Sequence, residues 1–115
     1  MVRKKSEQLT ESKCIRNGIG EVFMEKILNG AEEMYGKGRM FNKMIIAPGN
    51  SIGGHNHEGD NEIFYILSGT AEYNDNGTMV TLNAGDTAVC SDGEYHALIN
   101  NSDEPVEMIA LILYS

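Results

Sequence analysis

Three histidines occur in this chain, at His55, His57 and His96. The first two form His-Asn-His, and a carboxylate, Glu62, follows five residues after His57. If residues 53 to 57 are extended, side chains two apart share a face. His55 and His57 would then point the same way, close enough to hold one ion between them. Neutral imidazole nitrogens with one carboxylate oxygen make a borderline donor set, suited to Mn, Fe, Ni, Cu, Co or Zn. Taken alone, a His-x-His pair is more often an isolated surface feature, with the third histidine unrelated. The neighbouring residues decide between these readings.

Gly49 stands six residues before His55, Gly53 and Gly54 lead directly into it, and Gly69 closes the stretch seven residues after Glu62. This spacing of glycines around His55, His57 and Glu62 resembles the first motif of the cupin family at every fixed position. A second stretch, Gly85 to Asn100, carries Gly93, His96 and Asn100 where the second cupin motif has them. Ser91 stands in place of the usual proline, a departure that loosens a turn and touches no ligand. The 15 residues between Gly69 and Gly85 form a short inter-motif segment. Two motifs in register are a far stronger signal than either one.

The resemblance is to small single-domain cupins, similar to the oxalate-decarboxylase-like ones. It implies an all-β fold, a cupin-type jelly-roll barrel of short antiparallel strands. It also implies one divalent transition metal per chain, with His55, His57, Glu62 and His96 as its ligands. Three neutral imidazoles and one carboxylate around a divalent ion leave the group at net +1. An octahedral ion would keep two positions for water, O2 or a bidentate substrate, as catalytic sites do. The family hosts dioxygenases, decarboxylases and isomerases, so fold alone selects no reaction and no catalytic residue. A small oxygen-rich metabolite is the expected substrate. A non-catalytic cupin that binds or senses a small ligand is the alternative.

The elements that must position these residues can be read from alternation and turn chemistry. Strands are expected over 21–28, 39–47, 62–67, 71–73, 78–82, 87–90, 95–100 and 106–114, which with the extended 53–57 gives about nine. Residues 31–38 read as a loop or short helical turn. Over 39–47 the even positions, Met40, Asn42, Met44 and Ile46, form the inward set, which places Arg39 and Lys43 outward. Asp75-Asn76-Gly77 is a hairpin turn, since Asn and Gly tolerate positive φ. Phe64, Ile66, Leu98 and Met44 are either pocket lining or core. Glu58 and Asp60 read as a solvated turn. Cys90 reads as a small buried hydrophobe, and Asn100 as a hydrogen-bonding residue at a strand end. Residues 1–13 read as a mobile polar segment, and 14–115 as a single barrel domain.

Charge narrows the partners. All nine Lys and Arg lie at or before Lys43, against six acidic residues there; the remainder has eleven acidic residues and no base. An acidic body argues against nucleic acid and anionic membrane, which need a basic face. With Arg39 and Lys43 outward, the metal would be the main positive charge in the barrel, and a small anionic or chelating ligand would bind it directly. No apolar stretch follows the basic N-terminus, so neither a signal peptide nor a membrane span is expected. Two cysteines make no disulfide framework, and a reducing cytoplasm is the expected location. The nearly continuous apolar strand 106–114 needs cover. A homodimer is therefore expected, with residues 14 to 28 near the subunit boundary.

Overall fold

A computed structural model describes residues 1–115, and ten strands account for most of them. In chain order these are β1 (Thr10–Lys13), β2 (Val22–Leu28), β3 (Gly38–Ile46), β4 (Ser51–Asn56) and β5 (Asp60–Ser68). They continue with β6 (Ala71–Asp75), β7 (Thr78–Leu82), β8 (Thr87–Cys90), β9 (Tyr95–Ile99) and β10 (Val106–Tyr114). Short 3-10 turns occur at Lys5–Glu7 and Ala31–Met34. A six-stranded sheet runs β1-β2-β3-β10-β5-β8 and a four-stranded sheet runs β4-β9-β6-β7, all pairs antiparallel. The result is a jelly-roll barrel.

Alternation dictates which residues fill it. In β3 the buried positions are Gly38, Asn42, Met44 and Ile46, with Met40 half-buried, so the even face is the inner one. In β10 every second residue from Val106 to Ile112 is buried, and the intervening residues are half-buried. This strand lies in the middle of its sheet, between β3 and β5, so its backbone is fully paired. The core joins Val22, Met24, Met44, Ile46, Phe64, Ile66, Leu98 and Met108 with neighbours from both sheets. The β6–β7 hairpin turns on Asn76 and Gly77, both with positive φ, as a two-residue loop requires. Asn100 is completely buried: its Nδ2 donates to the carbonyls of Ile46 and Glu104, and its Oδ1 accepts from Ser102. Cys90 is buried as expected, and burial pushes its thiol up to about 11.

Two features differ from the sequence expectation. The barrel sheet starts before residue 14: Thr10–Lys13 pairs with Val22–Glu25 as an edge strand. All four residues of β1 are exposed, and so it lacks the apolar alternation by which a strand is recognised. The second difference is at Arg39. The register between β10 and β3 shifts between Ile112 and Leu113, which pair with Met40 and Gly38 and leave Arg39 as the extra residue. Such a bulge re-aims a side chain. Arg39 turns toward the barrel mouth and pairs with Asp60, whereas Lys43 stays outward beside Glu107.

The glycines before His55 have a packing reason. The segment between β1 and β2 crosses the edge of β4, where Gly53 N–H donates to the Ile15 carbonyl at 3.1 Å and Ser51 N–H to the Ile19 carbonyl at 2.9 Å. A Cβ on Gly53 would overlap the carbonyl oxygen of Arg16. We expect Gly53→Ala to destabilise the fold by about 1–3 kcal/mol, the usual cost of overpacking against backbone. Chemical denaturation checks this, and an unchanged midpoint would show that the crossing segment yields freely.

Candidate functional site

Strand pairing explains how residues far apart in sequence meet. β4 and β9 are neighbours, and their register sets His55 opposite His96. His57 follows the end of β4 and is clamped to the β8–β9 turn: its N–H donates to the Glu94 carbonyl, and Gly93 N–H donates to its own. Glu62 comes from β5 in the other sheet, opposite Cys90 and Ile112. The four side chains therefore bridge the two sheets. Their ligand atoms lie within 4.8 Å of one another.

The histidines are held by their outer nitrogens. His55 Nδ1 lies 2.8 Å from the Gly53 carbonyl, His57 Nδ1 2.7 Å from Asp60 Oδ1, and His96 Nδ1 2.8 Å from the Tyr73 hydroxyl. The carbonyl and the carboxylate are acceptors, so His55 and His57 carry hydrogen on Nδ1 and turn Nε2, the nitrogen a metal would take, inward. Such outer partners orient metal-binding imidazoles. His96 is further fixed by stacking on Phe64, with ring centroids 5.1 Å apart.

The inner atoms have spacings a metal would satisfy. His96 Nε2 is 3.2 Å from His55 Nε2, 3.2 Å from His57 Nε2 and 3.1 Å from Glu62 Oε1. His57 Nε2 is 3.1 Å from Glu62 Oε1, and His55 Nε2 is 4.0 Å from it. Donors about 2.1 Å from a common ion lie about 3.0 Å apart at right angles and about 4.2 Å apart when opposite. The donor set also wants a cation. Glu62 is buried, which pushes its carboxyl up, yet hydrogen bonds with His57 and His96 outweigh burial and hold it below the usual range. His57 is pushed up, first by its hydrogen bond to Glu62, against desolvation and with help from Asp60. His55 is pushed down, mainly by burial. The residues present fit a divalent transition metal, and His55, His57, Glu62 and His96 would hold it.

The site lies in a cavity of about 130 Å³. Its apolar wall includes Met24, Met40, Met44, Ile52 and Ile112, and its charged lining beyond the donors consists of Lys13, Arg16 and Arg39. Met44 is therefore lining as well as core, whereas Phe64, Ile66 and Leu98 are core. Two sequence expectations are corrected. Asp60 is not a solvated turn residue: it is buried, orients His57 and accepts from Arg39 Nε at 2.9 Å. The cavity also has protein cations at its rim, because the bulge redirects Arg39 and β1 with its following loop brings Lys13 and Arg16 over the mouth. Glu58 is exposed, as expected. Tyr73 was legible only as a strand residue; its alternation with buried Ala71 was the available sign that it points inward.

Comparison with known proteins agrees with this geometry. The family model described as the cupin domain matches residues 42–112. A Thermotoga maritima protein named oxalate-binding protein is 39% identical over 95% of this chain and 91% of its own length. A crystal structure titled as a predicted oxalate decarboxylase from Thermotoga maritima superposes with a TM-score of 0.93 at 40% identity, covering 100% of both chains. The cupin domain of a transcriptional regulator from Enterobacter cloacae shares the fold, with a TM-score of 0.69 at 24% identity over 82% of this chain and 97% of that one. With both motifs, the jelly roll and a family match over residues 42–112, the chain belongs to the cupin family.

Proposed function

We propose that this chain is a metal-dependent cupin that takes a small, oxygen-rich anionic metabolite directly on its metal and acts on it as an enzyme. The observation that carries the reading is the convergence of His55, His57, Glu62 and His96, the first three of which line an open cavity. A bound divalent ion would supply Lewis acidity or redox chemistry there. Size supports a small ligand. An apolar cavity near 150 Å³ accepts a molecule of about six heavy atoms, and this one measures about 130 Å³. Oxalate has that size, and the name of the Thermotoga maritima relative points the same way. The reaction would be decarboxylation, oxygenation or isomerisation, depending on the metal.

A binding or sensing role is the second reading. It is favoured by the lining, which offers three cations and apolar groups but no carboxylate or imidazole beyond the donors. The two are separated by loading the protein with Mn, Fe or Zn and titrating with oxalate, keto acids and sugar acids. Heat and metal spectra report binding, and product analysis reports turnover. If an apolar or cationic compound perturbs the metal and no chelating acid does, the ligand class is wrong. Binding without turnover at any metal replaces the enzyme with the binding module.

Metal affinity should fall as pH drops, because a protonated imidazole cannot ligate. The free protein's His57 is raised and its His55 lowered. Proton competition should therefore begin above the ordinary histidine value of about 6.5 and deepen below it. A metal-binding isotherm flat between pH 8 and 5 would contradict this.

We also propose a homodimer in a reducing compartment such as the cytoplasm. Its cysteines are free, Cys14 exposed and Cys90 buried. No helix is long and apolar enough to cross a membrane. The outer face of the six-stranded sheet exposes Tyr65, Leu67 and Val89, and β1, residues 10–13, leaves unpaired backbone groups at the sheet edge next to residues 14–28. Sedimentation should give a dimer at micromolar concentration, and a monomer there overturns the assignment. The acidic body gives no reason to expect nucleic acid or membrane as a partner.

A further inference from the structure

We propose that Arg16 is the second anchor of the ligand, binding the end of a small dianion that the metal does not hold. This rests on the reading of the cavity as a metal-centred anion site and adds the specificity of that site: two negative groups rather than one.

Three cations line the cavity, and they are not equivalent. Arg39 is engaged through Nε by Asp60. Lys13 lies 3.8 Å from Glu11. Arg16 alone has no carboxylate within ion-pair distance, although the chain carries 17 acidic residues against nine basic ones. It lines the same cavity as His55, His57 and Glu62.

The loop that carries Arg16 is built to keep it there. Arg16 and Asn17 both adopt left-handed backbone, with φ of 54° and 58°. They are the two central residues of a turn that the Gly18 N–H closes on the Ile15 carbonyl at 3.0 Å, a conformation asparagine tolerates well and arginine adopts less often. The Ile15 carbonyl accepts from both Gly18 and Gly53, and Cys14 Sγ donates to the Gly18 carbonyl. The Arg16 carbonyl packs where any Cβ on Gly53 would lie. The arch is thus tied to β4, two residues from His55. An unpaired guanidinium is thus carried on an anchored turn and lines the same cavity as His55, His57 and Glu62. A guanidinium presents a planar fork that matches a carboxylate.

The charge pattern of the chain then has a spatial meaning. Two of the N-terminal bases, Lys13 and Arg16, lie at the mouth of a barrel whose sequence after Lys43 carries no base. A ligand with one carboxylate would be satisfied by the metal alone. A dicarboxylate would span the metal and Arg16.

The test uses Mn(II)-loaded wild type, Arg16→Gln and Arg16→Asn, the last because asparagine tolerates left-handed backbone. Elemental analysis should show equal metal in all three. Calorimetry with oxalate and with acetate is then compared. We expect both variants to bind oxalate about five- to ten-fold more weakly, the range between an exposed and a desolvated charged contact, with acetate binding unchanged. If wild type binds oxalate and both variants match it, Arg16 is not an anchor and the metal-ligand reading stands. If oxalate and acetate weaken equally, the effect is general charge and the two-point clamp is wrong. If metal-loaded wild type binds neither acid, the anion-site reading fails and takes the clamp with it.

Discussion

Purified His57→Ala and His96→Ala proteins should contain less than a tenth of the wild-type metal after identical loading and dialysis. His96 Nε2 lies within 3.2 Å of the inner atoms of His55, His57 and Glu62, so it is the donor the others surround. Loss of a partner behind a ligand typically costs 10–100-fold in affinity, and loss of a ligand itself should cost at least as much. Both histidines are buried, and His96 stacks on Phe64. Truncation therefore also leaves a cavity, at about 2–5 kcal/mol for a large buried side chain. A second pair, His57→Gln and His96→Gln, fills most of that space and separates loss of ligand from loss of fold. Far-ultraviolet circular dichroism and elemental analysis on the same samples give the answer. Wild-type stoichiometry in His57→Ala and His96→Ala together would remove these residues from the metal.

The cluster of His55, His57, Glu62 and His96 was legible because cupin spacing is local in each half. Glycines and histidines fall at fixed offsets on either side of tight turns, and offsets survive in a sequence. What brings the halves together is the β4–β9 register across 41 positions, and no local pattern carries that. Inner faces were legible wherever alternation is clean, as in β3 and β10. Alternation failed at Arg39 because one extra residue in a ladder reverses the side to which the next side chain points, and a bulge leaves no composition signal. It failed at β1 because an edge strand exposed at all four residues has no apolar face to alternate. It failed at Asp60 because acidic and glycine-flanked residues usually mark turns. Here the first residue of β5 is acidic because a histidine three positions earlier needs an acceptor.

Asp60→Asn should weaken metal binding about 10–100-fold although Asp60 is not among the four proposed donors. The reason is a conflict of hydrogen-bond roles. Asp60 accepts at both oxygens, from His57 Nδ1 at 2.7 Å and from Arg39 Nε at 2.9 Å. Burial pushes its carboxyl up, but His57 and Arg39 together hold it below the usual range, so it stays charged well into acid. Asparagine has one acceptor and one donor. If its oxygen faces His57, its NH2 meets the N–H of Arg39, donor against donor. If its oxygen faces Arg39, its NH2 meets His57, whose proton must then move to Nε2, the atom needed for the metal. Either arrangement loses a buried contact, and the second also blocks a ligand. Arg39→Gln removes the outer charge and leaves the Asp60–His57 bond intact, so its effect on metal affinity should be several-fold smaller. Nitrogen-15 chemical shifts of His57 in metal-free protein would report the tautomer directly. Metal affinity in Asp60→Asn equal to wild type, with His57 still protonated on Nδ1, would show that the clamp from the β8–β9 turn orients the imidazole unaided.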